Sequence, residues 1–212
     1  EWRGNVNLVC VAVPSRTKVE EYRLLKEEVD RLVGSINGRW SSLDWVPVRY
    51  LYRGLPFPQL VGMYAASDVC CVTPLRDGMN LIAKEYCAAC TDDDGVLMLS
   101  EMAGAARELR EAVLVNPNDP DAMVAALHAS LSMPEEERVQ RMRSMRDRVG
   151  TYTIQRWVQD FLDRLGEMKV LQAQGARRLD AHARAGLLQA YKSASKRVLL
   201  LDYDGTLMPY AA

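Results

Sequence analysis

An α/β fold, with a parallel sheet and helices on both faces, is the class that the sequence predicts. Residues 7–13 form a continuous apolar run of strand length, the mark of a strand buried on both faces of a parallel sheet. Short runs of this kind then alternate with amphipathic helical segments along most of the chain. A third observation marks the working end of such a sheet. The apolar run 68–73 breaks at Pro74 and again at Asp77 and Gly78, and an Ala-rich helical segment opens at Asn80.

Taken in order, the strand 7–13 ends at Pro14 to Thr17. Val19, Tyr22, Leu25, Val29, Leu32, Val33 and Ile36 recur at helical spacing with Lys and Glu opposite, which predicts an amphipathic helix over 18–36, closed by Asn37 and Gly38. A second strand is expected over 46–52, a short helix over 57–66, the strand 68–73 and a helix over 80–89. The acidic run Asp92, Asp93 and Asp94 reads as a solvated turn, because it lacks the spaced ligand ladder of a calcium loop. Residues 96–100 and 112–115 are two more short strands, separated by a short helix. Asn116 to Pro120 is turn punctuation, and helices follow over 121–133, 135–149 and 153–169. His128 falls within a helix and needs no role beyond packing or solvation.

In an open α/β sheet the turn after a strand faces the binding crevice, and the helix behind it offers unpaired N–H groups and positive dipole to an anion. Gly78 permits close backbone approach, Asn80 can cap the helix, and Glu85 could accept hydrogen bonds from a diol such as a ribose. A surface turn with a capped helix and a solvated glutamate fits the same spacing. Arg16 sits at another strand tip beside a helix start, where it is either a solvated loop arginine or a cation within reach of a ligand phosphate.

With 212 residues, 49% of them hydrophobic, the chain can bury a real core of one domain and a fraction. Its formal charge of −1 argues against nonspecific nucleic-acid binding, and no apolar run approaches membrane-spanning length. Cys10, Cys70 and Cys71 lie in strand-like runs. Cys87 and Cys90 have redox spacing but fall inside a helix without a partner pair for zinc. A reducing, cytosolic setting fits this usage. The oligomeric state stays open, a homo-oligomer included.

From 170 to 196 the composition shifts to Gln, Ala, Arg and Gly. Residues 172–178 read as a linker and 187–192 as a short helix. The apolar run from Val198 then ends in Asp202 and Asp204, two carboxylates at one strand tip. One can attack phosphorus and the other can move the proton, usually with Mg²⁺ between them. Residues 1–169, 170–196 and 197–212 are therefore expected to be a nucleotide-binding domain, a linker with a short helix, and the beginning of a second domain. Both ends of the sequence look cut, so a fragment of a larger protein is expected.

Several segments resemble the carboxyl-terminal half of trehalose-6-phosphate synthase. They are Val13-Pro14-Ser15-Arg16, the run from Arg49 to Arg53, Ser67-Asp68-Val69, the run from Thr73 to Tyr86, the run from Ser100 to Ala106, and Val115-Asn116-Pro117. They come in the family's order and cover residues 1–165. Met102 stands where the family usually has Phe.

The resemblance implies a retaining glycosyltransferase of the two-Rossmann (GT-B) type. It would move glucose from UDP-glucose to glucose 6-phosphate, giving trehalose 6-phosphate and UDP with no cofactor. It also implies that Asp77 lies against the donor glucose, with the backbone of Gly78, Met79 and Asn80 lining its site. Leu81, Ile82, Ala83, Lys84 and Glu85 would hold the nucleotide half, with Glu85 on the ribose hydroxyls. Leu55 falls where a backbone group meets the uracil, and Arg16 corresponds to the arginine on the acceptor phosphate. In the family the acceptor pocket and two diphosphate-binding cations precede the position of Glu1, so residues 1–212 alone are expected to be inactive.

Residues 198–209 resemble the first motif of haloacid-dehalogenase-type phosphatases, which after a synthase domain implies a trehalose-6-phosphate phosphatase. Asp202 would be its nucleophile and Asp204 its general acid/base, both on Mg²⁺. Two competing readings remain: a phosphatase on a synthase-like scaffold, and a silent sugar-phosphate sensor. The presence of Arg16, Asp77 and Glu85 favours synthesis.

Overall fold

The structure, a computed structural model, describes residues 2–15, 19–175 and 181–198. The chain divides into two compact units, Glu1–Tyr152 and Thr153–Ala212. In the first unit the order is β1 (Leu8–Val11), α1 (Glu20–Trp40), β2 (Val48–Leu51), α2 (Phe57–Ala65), β3 (Val69–Val72), α3 (Leu81–Ala89), β4 (Val96–Ser100), a 3-10 turn (Gly104–Arg107), β5 (Val113–Val115), α4 (Pro120–Leu131) and α5 (Glu135–Thr151). The second unit holds α6 (Ile154–Gly175) and α7 (Ala181–Ser193).

All strand pairs among the described residues are parallel, but they form two sheets, β1-β2 and β3-β4-β5. The core is built on β4. Leu97 and Leu99 pack in one cluster with Ala83, Tyr86 and Cys87 of α3 and Met142 and Met145 of α5. Val96, Met98 and Ser100 point to the other face and are also buried, with α4 against β4 and β5. Each fully buried leucine here contributes roughly 1.5–3 kcal/mol.

Helix α5 is strongly charged, yet its arginines fasten it to this core. Arg146 Nη1 donates to the carbonyls of Cys90 (3.1 Å) and Thr91 (2.8 Å), satisfying acceptors at the end of α3. Arg141 Nη1 donates to Glu111 O at 2.9 Å. Arg148 forks onto the Glu111 carboxylate, with Nη1 on Oε2 at 2.6 Å and Nη2 on Oε1 at 2.8 Å.

The structure corrects several expectations. β1 is not buried on both faces: Leu8 is 53% and Val9 43% exposed, because α1 buries none of its own residues and packs chiefly on β2. Asn37 and Gly38 do not close α1, which runs on to Trp40. The Asn37 side chain is engaged elsewhere, donating to Val48 O (2.9 Å) and accepting from Val48 N (3.1 Å), so it ties the helix to β2.

The acidic turn is not simply solvated either. Asp93 is 5% exposed, and α5 reaches it through Arg143 Nε (3.2 Å) and Arg146 Nη1 (2.8 Å). The second contact is an ion pair without hydrogen-bond geometry, which leaves Asp93 Oδ1 without a directed donor. Residues 172–175, expected in a linker, continue α6, since Gln and Ala are good helix formers and no Gly or Pro stands between Glu167 and Gln174. α7 likewise covers more than the expected 187–192.

Candidate functional site

The first unit gathers its loops at the carboxyl ends of its strands. β3 ends at Val72, Pro74 cannot extend the ladder, and the turn through Asp77, Gly78 and Met79 delivers Asn80 as the cap of α3. Asn80 sits in the left-handed region at φ 76°, which a short polar side chain tolerates better than most. Its two amide atoms do two jobs. Oδ1 accepts from Ala83 N at 3.1 Å, and Nδ2 donates to Asp77 Oδ2 at 3.0 Å.

Asp77 Oδ1 in turn accepts from Met79 N at 3.0 Å, so the carboxylate is held at both oxygens by the turn it begins. A carboxylate has about four lone-pair sites, which leaves room for about two ligand hydroxyls. The amides of Leu81 and Ile82, in the first turn of α3, have no carbonyl four residues back within the helix and carry its positive end. Chemically, such an arrangement can take an anion with a polyol beside it.

A second loop, 101–105, locks the turn from beneath. Asp77 N donates to Met102 O (3.4 Å), Gly104 N to Asp77 O (3.1 Å) and Ala105 N to Met79 O (2.7 Å). Asp77 and Ala103 form an isolated parallel bridge. The approach leaves no space for a side chain at Gly104, where a Cβ would stand 2.0 Å from Gly78 O. Buried Ser100 stabilises this loop by accepting from Met102 N at 3.1 Å. Gly78 itself has nothing within 4 Å of a would-be Cβ and faces open space. The tight backbone contact within the protein thus falls on Gly104, a constraint invisible in the sequence because nothing local links it to Gly78.

Helical periodicity sorts the rest of the predicted segment. Ala83, Tyr86 and Cys87 face the core, whereas Leu81, Ile82 and Glu85 are exposed on the other side, with Glu85 about 6 Å along the axis from Leu81. Ala83 is fully buried. Lys84 is turned to Glu108, Nζ to Oε2 at 2.6 Å, and braces the 3-10 turn against α3. Glu85 accepts from the Tyr64 hydroxyl of α2 at 3.1 Å. Burial, then the hydrogen bond to Glu85, pushes the Tyr64 phenol up to about 12, so it stays a donor at neutral pH. Tyr64 went unnoticed in the sequence, and no local spacing links it to residue 85.

Leu55 is half-buried in the loop between β2 and α2. That loop adjoins the end of β1, since a Cβ on Gly54 would stand 4.0 Å from Val13 Cγ1. Arg16 lies outside the described residues, as do Asp202 and Asp204. Burial pushes the thiols of Cys70 and Cys87 up to about 12, which leaves them protonated and unreactive at neutral pH. Among the described residues no cluster of three or more His, Cys, Asp or Glu is placed to hold a metal, and no helix is long and apolar enough to cross a membrane. A shallow cleft of about 490 Å³ beside Ala112, Met133 and Arg141 lies at the start of β5, not at the strand ends where this site is built.

A parallel α/β unit with a capped helix terminus, a braced acidic turn and an exposed glutamate at its strand tips belongs to the class of α/β folds with parallel sheets covered by helices. The particular family follows from comparison: residues 1–167 match the profile described as Glycosyltransferase family 20, and the chain belongs to that family. It is similar to a bifunctional trehalose-6-phosphate synthase/phosphatase of Thermoproteus tenax, 45% identical over 213 residues that cover 99% of this chain and 29% of that protein. The chain therefore spans under a third of this relative's length. Its fold matches the crystal structure of an alpha,alpha-trehalose-phosphate synthase (UDP-forming) from Burkholderia vietnamiensis with TM-score 0.74 and 43% identity, covering 78% of this chain and 38% of that one. An E. coli structure bound with UDP-2-fluoro glucose matches with TM-score 0.74 and 40% identity, over 77% of this chain and 37% of that one. These likenesses bear out the α/β, GT-B-type reading of the fold.

Proposed function

We propose that this chain is the donor-nucleotide half of a retaining glycosyltransferase that moves glucose from UDP-glucose to glucose 6-phosphate, yielding trehalose 6-phosphate and UDP. The observation that carries the reading is the Asp77 carboxylate, fixed by Met79 N and Asn80 Nδ2 at the open amino end of α3. Asp77 would take hydroxyls of the donor glucose, and the amides of Leu81 and Ile82 at the start of α3 would face the diphosphate, where charge grows as UDP departs. Glu85 would hold the ribose, a backbone group at Leu55 the uracil, and Arg16 the acceptor phosphate. The ligand named for the E. coli relative, an analogue of UDP-glucose, agrees with this donor. A reducing, cytosolic setting is part of the proposal; the five cysteines are free thiols.

A second activity is favoured by one observation: the match to the bifunctional relative extends over 99% of the chain, past the synthase family's limit at residue 167. Asp202 and Asp204 would then open a phosphatase domain that uses Mg²⁺. The test is made on protein extended to the length of its relatives. Asp77→Ala should abolish UDP release from UDP-glucose and glucose 6-phosphate, while phosphate release from trehalose 6-phosphate continues. Unchanged UDP release would refute the synthase reading, and loss of both activities would refute separate sites.

A further inference from the structure

We propose that Tyr64 is a positioning residue for nucleotide recognition: its hydroxyl fixes one oxygen of Glu85 so that the rest of the carboxylate is presented to the ribose diol. The inference rests on the reading of Glu85 as the ribose-binding group.

The geometry behind it is a relay from the core to the surface. Tyr86 is fully buried and its hydroxyl donates to Ser67 O at 3.0 Å, which fixes that ring. The ring of Tyr64 meets Tyr86 edge-on, with centroids 6.4 Å apart and planes at 78°. Tyr64 also packs against the core cluster, while its hydroxyl emerges to donate to Glu85 Oε2 at 3.1 Å. Glu85 is otherwise an exposed side chain on the open face of α3. An exposed glutamate samples many rotamers and loses that freedom on binding a ligand. A donor anchored in the core removes part of this freedom beforehand, and preorganisation of that kind raises affinity.

The chemistry leaves room for both partners. A phenol donates one proton and so occupies one of about four acceptor positions of a carboxylate. Oε1 and the second lone pair of Oε2 remain for two ribose hydroxyls. The Tyr64 phenol stays protonated at neutral pH and so remains a donor to Glu85.

The test is an NMR titration of the full 212-residue chain with UDP and with 2′,3′-dideoxy-UDP, in wild type, Tyr64→Phe, Glu85→Ala and the double variant. Phenylalanine keeps the ring against Tyr86 and the core, and unfolding in urea checks that it does. Wild type should bind UDP more tightly than the dideoxy compound. Tyr64→Phe should cut that preference about three- to tenfold, the worth of one such hydrogen bond, with dideoxy-UDP affinity unchanged. In the Glu85→Ala background the same substitution should do nothing further. Tyr64→Phe weakening both ligands equally, or neither, would overturn the positioning role while leaving the ribose contact standing. Equal binding of both ligands by wild type, or binding of neither, would instead remove the ribose reading and the inference with it.

Discussion

Gly104→Ala probes the interlock beneath the site with a single methyl group. The added Cβ would stand 2.0 Å from Gly78 O, 2.8 Å from Gly78 C and 3.3 Å from Met79 Cα. All three are backbone atoms, so no side chain can swing aside. The turn cannot drift away freely, because Gly104 N on Asp77 O (3.1 Å) and Ala105 N on Met79 O (2.7 Å) hold the two loops together. Relief requires the loops to part by on the order of 1 Å, which overpacking studies price at about 1–3 kcal/mol. Loosening the two hydrogen bonds adds about 0.5–1.5 kcal/mol each, for a total of about 2–6 kcal/mol. Urea unfolding of the 212-residue chain measures this directly, and UDP titration of the folded fraction should show at least about a tenfold loss of affinity as the Gly78 to Asn80 backbone moves. A variant that unfolds at the wild-type midpoint and binds UDP normally would refute the claim that this contact sets the turn.

Two further outcomes are expected. Asn80→Ala loses the cap of α3, about 1 kcal/mol, and keeps a Cβ at φ 76° without the polar side chain that offsets its strain, whereas Asn80→Gly loses the same cap but is spared that strain, about 1–2 kcal/mol. Alanine should therefore be the less stable of the two in urea, and the reverse order would show that the left-handed turn is not maintained. Glu111 is held below its ordinary value of 4.5 chiefly by the hydrogen bond from Arg148, and Asp94 below 3.8 chiefly by that from Arg138. Groups depressed in the folded state contribute stability above the unfolded value and lose it as pH falls through the folded one. Urea midpoints should thus drop on acidification below about pH 5, and Arg148→Met should flatten that drop. An unaltered acid limb would mean that the Arg148 fork contributes nothing.

Much of this site was readable because its signals are local. Pro74, Asp77-Gly78 and Asn80 mark a strand end, a turn and a cap by their own conformational limits, and the structure puts β3, the turn and α3 there. The four-residue apolar run of β4, Val96 to Leu99, was equally plain, since a strand covered on both faces reads as a near-continuous apolar stretch. What was hidden depends on contacts across long sequence separations. Asn37 looks like a helix terminator until Val48 engages its amide, and Asp93 looks solvated until the arginines of α5 arrive. Gly104 and Tyr64 are of the same kind. One is required by a backbone 26 residues earlier, at Gly78, and the other reaches Glu85, 21 residues later.

The central claim is that the turn after β3 and the first turns of α3 receive a nucleotide sugar. Backbone amide NMR of the 212-residue chain, titrated with UDP, tests it most directly. The account predicts that the shifts concentrate at residues 78–85, with Tyr64 and the 101–105 loop following. Shifts confined to the cleft beside Met133 and Arg141, or none at any concentration, would contradict it.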